Sequence, residues 1–285
     1  MSIVCMFPGQ GSQSKGMGAD LFDRFADWTA TADEILGYSI RELCVDDPRS
    51  ELGRTRCTQP ALFTVNAMTF RARQESGKAA PAFVAGHSLG EYNALVAAGV
   101  FDFATGLRLV RRRGEIMSDV SGGGMAAVVG LEPDRIQAVL SASDAGRRID
   151  VANFNSFDQT VIAGPKDDLV AVKPGFDAAG VKLYKVLNVS APFHSRYMRD
   201  AEAAFGPTLA AATFNAPAIP AISNATALPY EHAAARDTLA RQIGHSVKWL
   251  DSMLYLMKAG ASEFEEVGPG NVLTKLAAQI RKRIA

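Results

Sequence analysis

The sequence is poor in the features that mark specialised classes of protein. Three cysteines occur in 285 residues, Cys5, Cys44 and Cys57. Their odd number and wide spacing exclude a disulfide framework and a structural zinc pattern, and imply free thiols in a reduced, cytoplasmic setting. Neither sign of charge is in excess: 30 basic residues meet 30 acidic ones. That balance excludes a chain whose main task is to grip nucleic acid or an anionic membrane. No apolar run approaches the ~20 residues of a membrane span. The run Ile3–Phe7 is closed by Pro8-Gly9, too short for the apolar stretch of a signal peptide. No internal repeat or low-complexity tract is present. What remains is ordinary for a soluble, intracellular globular protein, 48% apolar and 21% charged, which at this size buries roughly three quarters of its unfolded surface without a disulfide or metal staple.

The order of patterns along the chain is that of an α/β protein. Residues 3–7 are β-prone and uninterrupted, as in a buried parallel strand, and lead into the glycine-rich loop Pro8-Gly9-Gln10-Gly11-Ser12-Gln13. Helical patterns dominate residues 20–74. A second buried strand, 82–85, runs straight into Gly86-His87-Ser88-Leu89-Gly90 and a helical stretch, half of a βαβ unit. Ser121-Gly122-Gly123-Gly124 reads as a flexible hinge or domain junction. Beyond it, strand 125–129, helix 133–141, strands 149–152 and 160–163, a helix over 169–179 interrupted at Pro174-Gly175, and strand 182–189 follow the β-α-β-β-α-β order of a ferredoxin-like unit. Residues 122–190 are therefore expected to form a small subdomain inserted into a larger domain of residues 1–121 and 191–285. That domain resumes with helices over 196–211 and 233–258, a strand at 263–267 and a last helix from Val272.

Gly86-His87-Ser88-Leu89-Gly90 fits the G-x-S-x-G nucleophile elbow, in the strand–turn–helix context that the motif requires. Its glycines answer a steric need, since a turn sharp enough to lift Ser88 out of the sheet crowds its flanks. The helix behind the turn aims free N–H groups and partial positive charge at an oxyanion formed there, the Leu89 amide first among them. The bland alternative is a tight turn bearing a surface serine. A serine hydroxyl needs a base, and four histidines are available. His87 sits on the turn with its side chain expected to point away from Ser88, and His232 lies in a polar, alanine-rich stretch. His194, in Ala191-Pro192-Phe193-His194-Ser195, follows a predicted strand where the large domain resumes, and is the best candidate. No late Asp or Glu stands out as its orienting group, and a backbone carbonyl would serve. The N-terminal glycine loop matches neither the P-loop, because position 17 is Met, nor the dinucleotide fingerprint, because position 14 is Ser. It could still present backbone N–H groups at the carboxyl end of the sheet.

Phe7-Pro8-Gly9-Gln10-Gly11-Ser12-Gln13, Gly86-His87-Ser88-Leu89-Gly90-Glu91, Arg113-Gly114, Ala191-Pro192-Phe193-His194-Ser195 and Val267-Gly268-Pro269-Gly270, taken together and in this order over nearly the whole chain, resemble the malonyl-CoA:acyl carrier protein transacylase family. Gly90-Glu91-Tyr92-Asn93-Ala94-Leu95 and the Ala-Pro-Phe-His form lean towards discrete acyltransferases that serve polyketide synthases in trans. The resemblance implies an α/β-hydrolase-like core with an inserted ferredoxin-like subdomain. It further implies Ser88 as the acylated nucleophile, His194 as base, the Gln10 and Leu89 amides as oxyanion hole, and Gln242 as the neighbourhood of the atom that replaces a triad acid. Arg113 would hold the free carboxylate of the malonyl group, with Phe193 and His87 at the substrate. Two departures are visible: His245 stands where many relatives have Asn, and Asn155-Ser156-Phe157-Asp158-Gln159 where relatives commonly have Ser-Pro-Gly-Gln.

Arg113 belongs to the run Arg111-Arg112-Arg113, and such a run is usually a solvated face. On a helix, however, three successive residues cannot share one face, and an inward guanidinium must be paired, for which a carboxylate fork is well matched. The expected reaction is ping-pong transfer of malonyl from malonyl-CoA to the phosphopantetheine thiol of an acyl carrier protein or of a polyketide synthase carrier domain. No metal or redox cofactor, nucleic acid or membrane is implied, and the chain is expected to be a monomer. Arg196 and Arg199 are candidates for docking an acidic carrier. The rival readings are a hydrolase that clears acyl groups from carriers and a catalytically silent docking module.

Overall fold

Alternate residues of the first apolar run serve two different cores. In the computed structural model, which describes residues 2–189 and 191–284, Ile3–Phe7 forms β1. Cys5 and Phe7 face one cluster, shared with the helices Thr55–Glu75 and Phe103–Asp119, whereas Val4 and Met6 face another, shared with the helices Trp249–Lys258 and Val272–Ile284. A strand covered on both sides has no polar face, which is why its sequence shows no alternation.

β1 pairs in parallel with β2 (Phe83–Gly86) on one side. With β7 (Ala221–Ile222) and β8 (Glu263–Glu266), the sheet order is β7-β2-β1-β8, all parallel. β7 was not anticipated; two residues give no periodicity to read. The register sets Phe7 opposite Gly86. It thereby brings the Pro8–Gly9–Gln10 loop and the His87–Ser88 turn side by side at the carboxyl ends of their strands, the usual place for a site in a parallel sheet.

A second, antiparallel sheet consists of β3 (Gly123–Val129), β4 (Asp150–Phe154), β5 (Gln159–Pro165) and β6 (Leu183–Val186), in the order β4-β5-β3-β6. Helix Pro133–Ser141 and the pair Lys166–Ala171 and Lys173–Ala178 complete it. Ala126, Val128 and Ile162 pack onto these helices. On the opposite face, Met125 and Val161 join the larger core and line the cleft described below. The boundary expected at 190/191 falls on Ser190, which lies outside the described residues.

Two expectations are corrected. Gly123 and Gly124, read as flexible, are the first residues of β3 and are buried; a Cβ on Gly123 would come within 2.5 Å of the Pro192 ring, so close packing rather than mobility explains this glycine. Gly122 alone of the three has a left-handed φ, 84°. The helix expected over 233–258 is interrupted. Ala235–Arg241 is helical, residues 242–248 are not, and helix Trp249–Lys258 follows. Among the described residues no helix is long and apolar enough to cross a membrane.

The glycines of the elbow meet backbone, not pliable side chains. A Cβ on Gly90 would stand 2.0 Å from the Phe7 carbonyl oxygen, and one on Gly86 1.9 Å from the Gly90 carbonyl carbon. Gly90→Ala must therefore push β1 away from the helix Gly90–Ala97, and is expected to destabilise the fold by about 2–3 kcal/mol. Urea unfolding checks this, and an unchanged midpoint would refute the close contact.

Candidate active site

Ser88 has a φ of 52°, a left-handed conformation that a residue with a Cβ adopts only under constraint. The constraint is visible on both sides. β2 ends at Gly86 and the helix Gly90–Ala97 begins two residues past Ser88. Asn224 clamps the turn, its Oδ1 accepting from the Ser88 N–H at 2.7 Å and its Nδ2 donating to the Gly86 carbonyl at 2.7 Å. The Ser88 hydroxyl is thus thrust from the sheet into a cleft of about 200 Å3.

His194 reaches it from the far side of that cleft, with Nε2 2.7 Å from Ser88 Oγ. Its Nδ1 faces two carbonyl oxygens, of Gln242 at 2.9 Å and of His245 at 3.2 Å. Carbonyls only accept, so Nδ1 carries the ring proton and Nε2 is left as the acceptor for the serine hydroxyl. Both carbonyls lie in the non-helical segment 242–248; within a continuous helix they would face their own i+4 amides. Burial first, and the Arg113 charge second, push the His194 pKa down to about 3, against smaller opposing effects of the carbonyls. The imidazole is held neutral and ready to accept a proton.

Arg113 is the inward member of its arginine run. It is 1% exposed, whereas Arg111 and Arg112 are on the surface, paired with Glu115. Its Nη1 donates to Gln59 Oε1 at 2.7 Å, and its Nη2 to Gln242 Oε1 at 2.9 Å and to Ser88 Oγ at 3.1 Å. The Tyr92 ring lies 5.5 Å from its guanidinium carbon, a cation–π contact. Among the described residues no carboxylate forms an ion pair with it, and its Nε has no partner. Burial disfavours the charge, yet a guanidinium does not shed it.

The carboxylate behind it is Glu91, fully buried and pushed by burial up to about 7 despite the nearby donors and Arg113. Its Oε1 accepts from Tyr230 Oη at 2.5 Å and from the Asn224 N–H at 3.0 Å. Its Oε2 accepts from Gln242 Nε2 at 2.9 Å, and that same amide nitrogen donates to the Ser88 carbonyl at 2.6 Å.

The residues singled out in the sequence converge on one cleft. Gln10, His87, Ser88, Leu89, Arg113, Phe193 and His194 all line it, and Gln242 stands behind His194 and Arg113. The Gln10 and Leu89 amides donate to no other described residue. His87 Nε2 donates to Asn155 Oδ1 at 2.8 Å, within the stretch 155–159 noted above. Arg196 is taken up by Asp150. Gln59, Glu91, Asn224 and Tyr230 were not anticipated. A glutamine inside a helix, such as Gln59, or an asparagine in a turn, such as Asn224, carries no local signature of its role. Beside the first cleft, and sharing Gln10 and Val189 with it, lies a second lined by Arg54, Arg56 and Lys166.

Comparison with known proteins gives a consistent picture. The acyl transferase domain family matches residues 4–279. The polyketide biosynthesis malonyl CoA-acyl carrier protein transacylase PksC of Bacillus subtilis is 52% identical over 281 residues, 98% of this chain and 97% of that protein. The crystal structure of a malonyl CoA-acyl carrier protein transacylase from Burkholderia pseudomallei superposes with a TM-score of 0.96 at 50% identity, covering 99% of both chains. A malonyl-transacylase solved in complex with a type II polyketide synthase acyl-carrier protein superposes at 0.94 with 36% identity, over 99% of this chain and 94% of that one.

The buried, neutral His194 has a consequence for stability. Below about pH 6.5 the unfolded chain binds a proton at this imidazole, which the folded chain refuses until about 3. This group's contribution is therefore fully present above that window and declines as pH falls through it. His194→Asn should lessen the acid destabilisation by about 2 kcal/mol between about pH 7 and about pH 4.5, at about 1.4 kcal/mol per unit. Urea unfolding at the two pH values measures this; equal pH dependence in both proteins would contradict a buried neutral ring.

Proposed function

This chain belongs to the acyl transferase domain family, and from that premise we propose that it moves a malonyl group from malonyl-CoA to the phosphopantetheine thiol of an acyl carrier protein, in polyketide assembly. The observation that carries this reading is Arg113, a buried cation 3.1 Å from Ser88 Oγ with no carboxylate partner among the described residues. A substrate that brings its own carboxylate to the nucleophile would complete the site.

In the proposed reaction, the Ser88 hydroxyl gives its proton to His194 Nε2 as its oxygen attacks the thioester carbonyl. The oxyanion forms where the uncommitted Gln10 and Leu89 amides and the start of the helix Gly90–Ala97 can stabilise it. The C–S bond breaks, the proton passes from His194 to the departing CoA thiolate, and a malonyl-serine ester remains. The carrier thiol then gives its proton to His194 and attacks the ester carbonyl, the C–O bond to Ser88 breaks, and His194 returns the proton to Ser88 Oγ as the malonyl thioester leaves. Seating of the malonyl carboxylate on Arg113 neutralises the charge that helps hold His194 down, so the ring becomes a stronger base once substrate is bound. Phe193, buried beside His194, crowds the malonyl α-carbon and disfavours a methyl branch by about 1–3 kcal/mol.

The same reading treats residues 1–121 and 191–285 as an α/β-hydrolase-like core and 122–190 as a ferredoxin-like insert. The antiparallel order β4-β5-β3-β6 supports the second part. For docking, the cleft of Arg54, Arg56 and Lys166, which adjoins the site through Gln10 and Val189, is placed to receive the phosphate of a pantetheine arm, with Arg54 and Arg56 paired to Glu51 and Asp119 as Arg196 is to Asp150.

Intact mass after mixing with malonyl-CoA tests the proposal. A malonyl adduct that maps to Ser88, persists in buffer and disappears on adding carrier protein is expected; rapid loss to water would favour the hydrolase. Arg113→Ala should lower malonyl loading about 100-fold, the order expected for a buried charge-assisted pair, with acetyl loading far less affected. Equal loss of both would remove the clamp.

A further inference from the structure

Gln242 uses its backbone oxygen and both polar atoms of its side chain on the site. Its backbone oxygen accepts from His194 Nδ1, its Oε1 from Arg113 Nη2, and its Nε2 donates to the Ser88 carbonyl and to Glu91 Oε2. A carboxamide can be turned end for end, which would offer its amino group to Arg113, a donor to a donor. Glu91, together with the Ser88 carbonyl, removes that freedom. In its ionised form, which prevails above about pH 7, the carboxylate only accepts, so the amino end of Gln242 faces Glu91 and the oxygen faces Arg113. Three donors, from Tyr230, Asn224 and Gln242, converge on Glu91, and an acceptor-only group satisfies all three.

We propose that Glu91 is the positioning residue of the carboxylate clamp: acting through the Gln242 carboxamide, it fixes the guanidinium of Arg113 beside Ser88 and so determines the preference for acyl groups that carry a free carboxylate. Glu91 touches neither Ser88 Oγ nor the cleft; it acts at one remove. Its charge lies one carboxamide away from Arg113, close enough to balance the cation electrostatically and not in contact with it, so both guanidinium edges are not consumed by an internal ion pair. This inference rests on the proposed function for the identity of the acyl group, but the orientation of Gln242 and Arg113 can be tested without it.

In Glu91→Gln the replacement carries a single oxygen. The better of its two orientations keeps that oxygen on the two donors from Tyr230 and Asn224, and turns its amino group towards Gln242. Gln242 Nε2 then meets a donor in place of an acceptor, its carboxamide is displaced, and the acceptor that holds Arg113 is no longer fixed. Loading of Ser88 from malonyl-CoA and acetyl-CoA, followed by intact mass, should show malonyl loading reduced at least about tenfold with acetyl loading within about twofold. Gln242→Met should likewise lower the malonyl-to-acetyl ratio, and the double variant should show no greater loss of that ratio than Gln242→Met alone. Should Glu91→Gln fail to fold, Glu91→Asp, which keeps an acceptor-only group one methylene shorter, reports the ratio, and a drop in it is again expected. A parallel fall in malonyl and acetyl loading, or losses that multiply in the double variant, overturns the proposal. The two readings fail separately. If the unaltered chain takes up no malonyl group on Ser88, the proposed function falls. The crystal structure of Glu91→Gln then decides the positioning role: Arg113 displaced from Ser88 Oγ supports it, and Arg113 with its contacts intact refutes it.

Discussion

A guanidinium cannot neutralise itself to escape burial, and the interior around Ser88 is built on that constraint. Placing Arg113 at 1% exposure carries a desolvation penalty of several kcal/mol unless hydrogen bonds and nearby charge offset it. The offset is distributed: the Gln59 and Gln242 oxygens, the Ser88 hydroxyl, the face of Tyr92, and Glu91 one carboxamide away. Each of those groups is itself a site element or is bonded to one. Ser88, His194 and the elbow turn are consequently locked into one polar network. A half-satisfied network of this kind is less stable than an apolar core, so the loss of one member is felt by its neighbours.

The parts of this arrangement legible in the sequence are those whose cause is local. The apolar run 3–7, the glycines at 86 and 90 and the proline at 133 act within a few residues, and β1, the elbow and the helix Pro133–Ser141 stand where they were expected. Ser88 and His194, 106 residues apart, were paired because only four histidines exist and one followed a strand; their 2.7 Å contact is not a property of either neighbourhood. What escaped notice depends on contacts across greater separations. Gln242 reaches Glu91 over 151 residues and Asn224 reaches Ser88 over 136.

The two misread segments share one physical lesson. Residues 242–248 sit between stretches of strong helical pattern, so propensity favours continuing the helix. Tertiary bonding overrides it, since Val247 exchanges hydrogen bonds with β4 and the carbonyls of Gln242 and His245 turn to His194. Gly123 and Gly124 read as flexible because glycine is permissive in isolation, whereas in the fold the space that a Cβ on Gly123 would need is filled by Pro192. In both places the residue types are compatible with two local structures, and packing selects between them.

The depressed basicity of His194 bears on the choice between transfer and hydrolysis. Any general base must take a proton from the attacking group, and the difficulty scales with that group's pKa. A thiol near about 8.5 yields its proton to a weak base far more readily than water near about 15.7. Whatever basicity His194 has once a carboxylate neutralises Arg113, a thiol acceptor asks less of it than water does. The apolar lining of the cleft, including Met117, Met125, Val161 and Phe193, adds to this bias by offering water few partners while matching the methylene stem of a pantetheine arm. On the proposed function, an apolar cleft that admits few waters is one reason that a malonyl-serine ester would outlast its exposure to solvent.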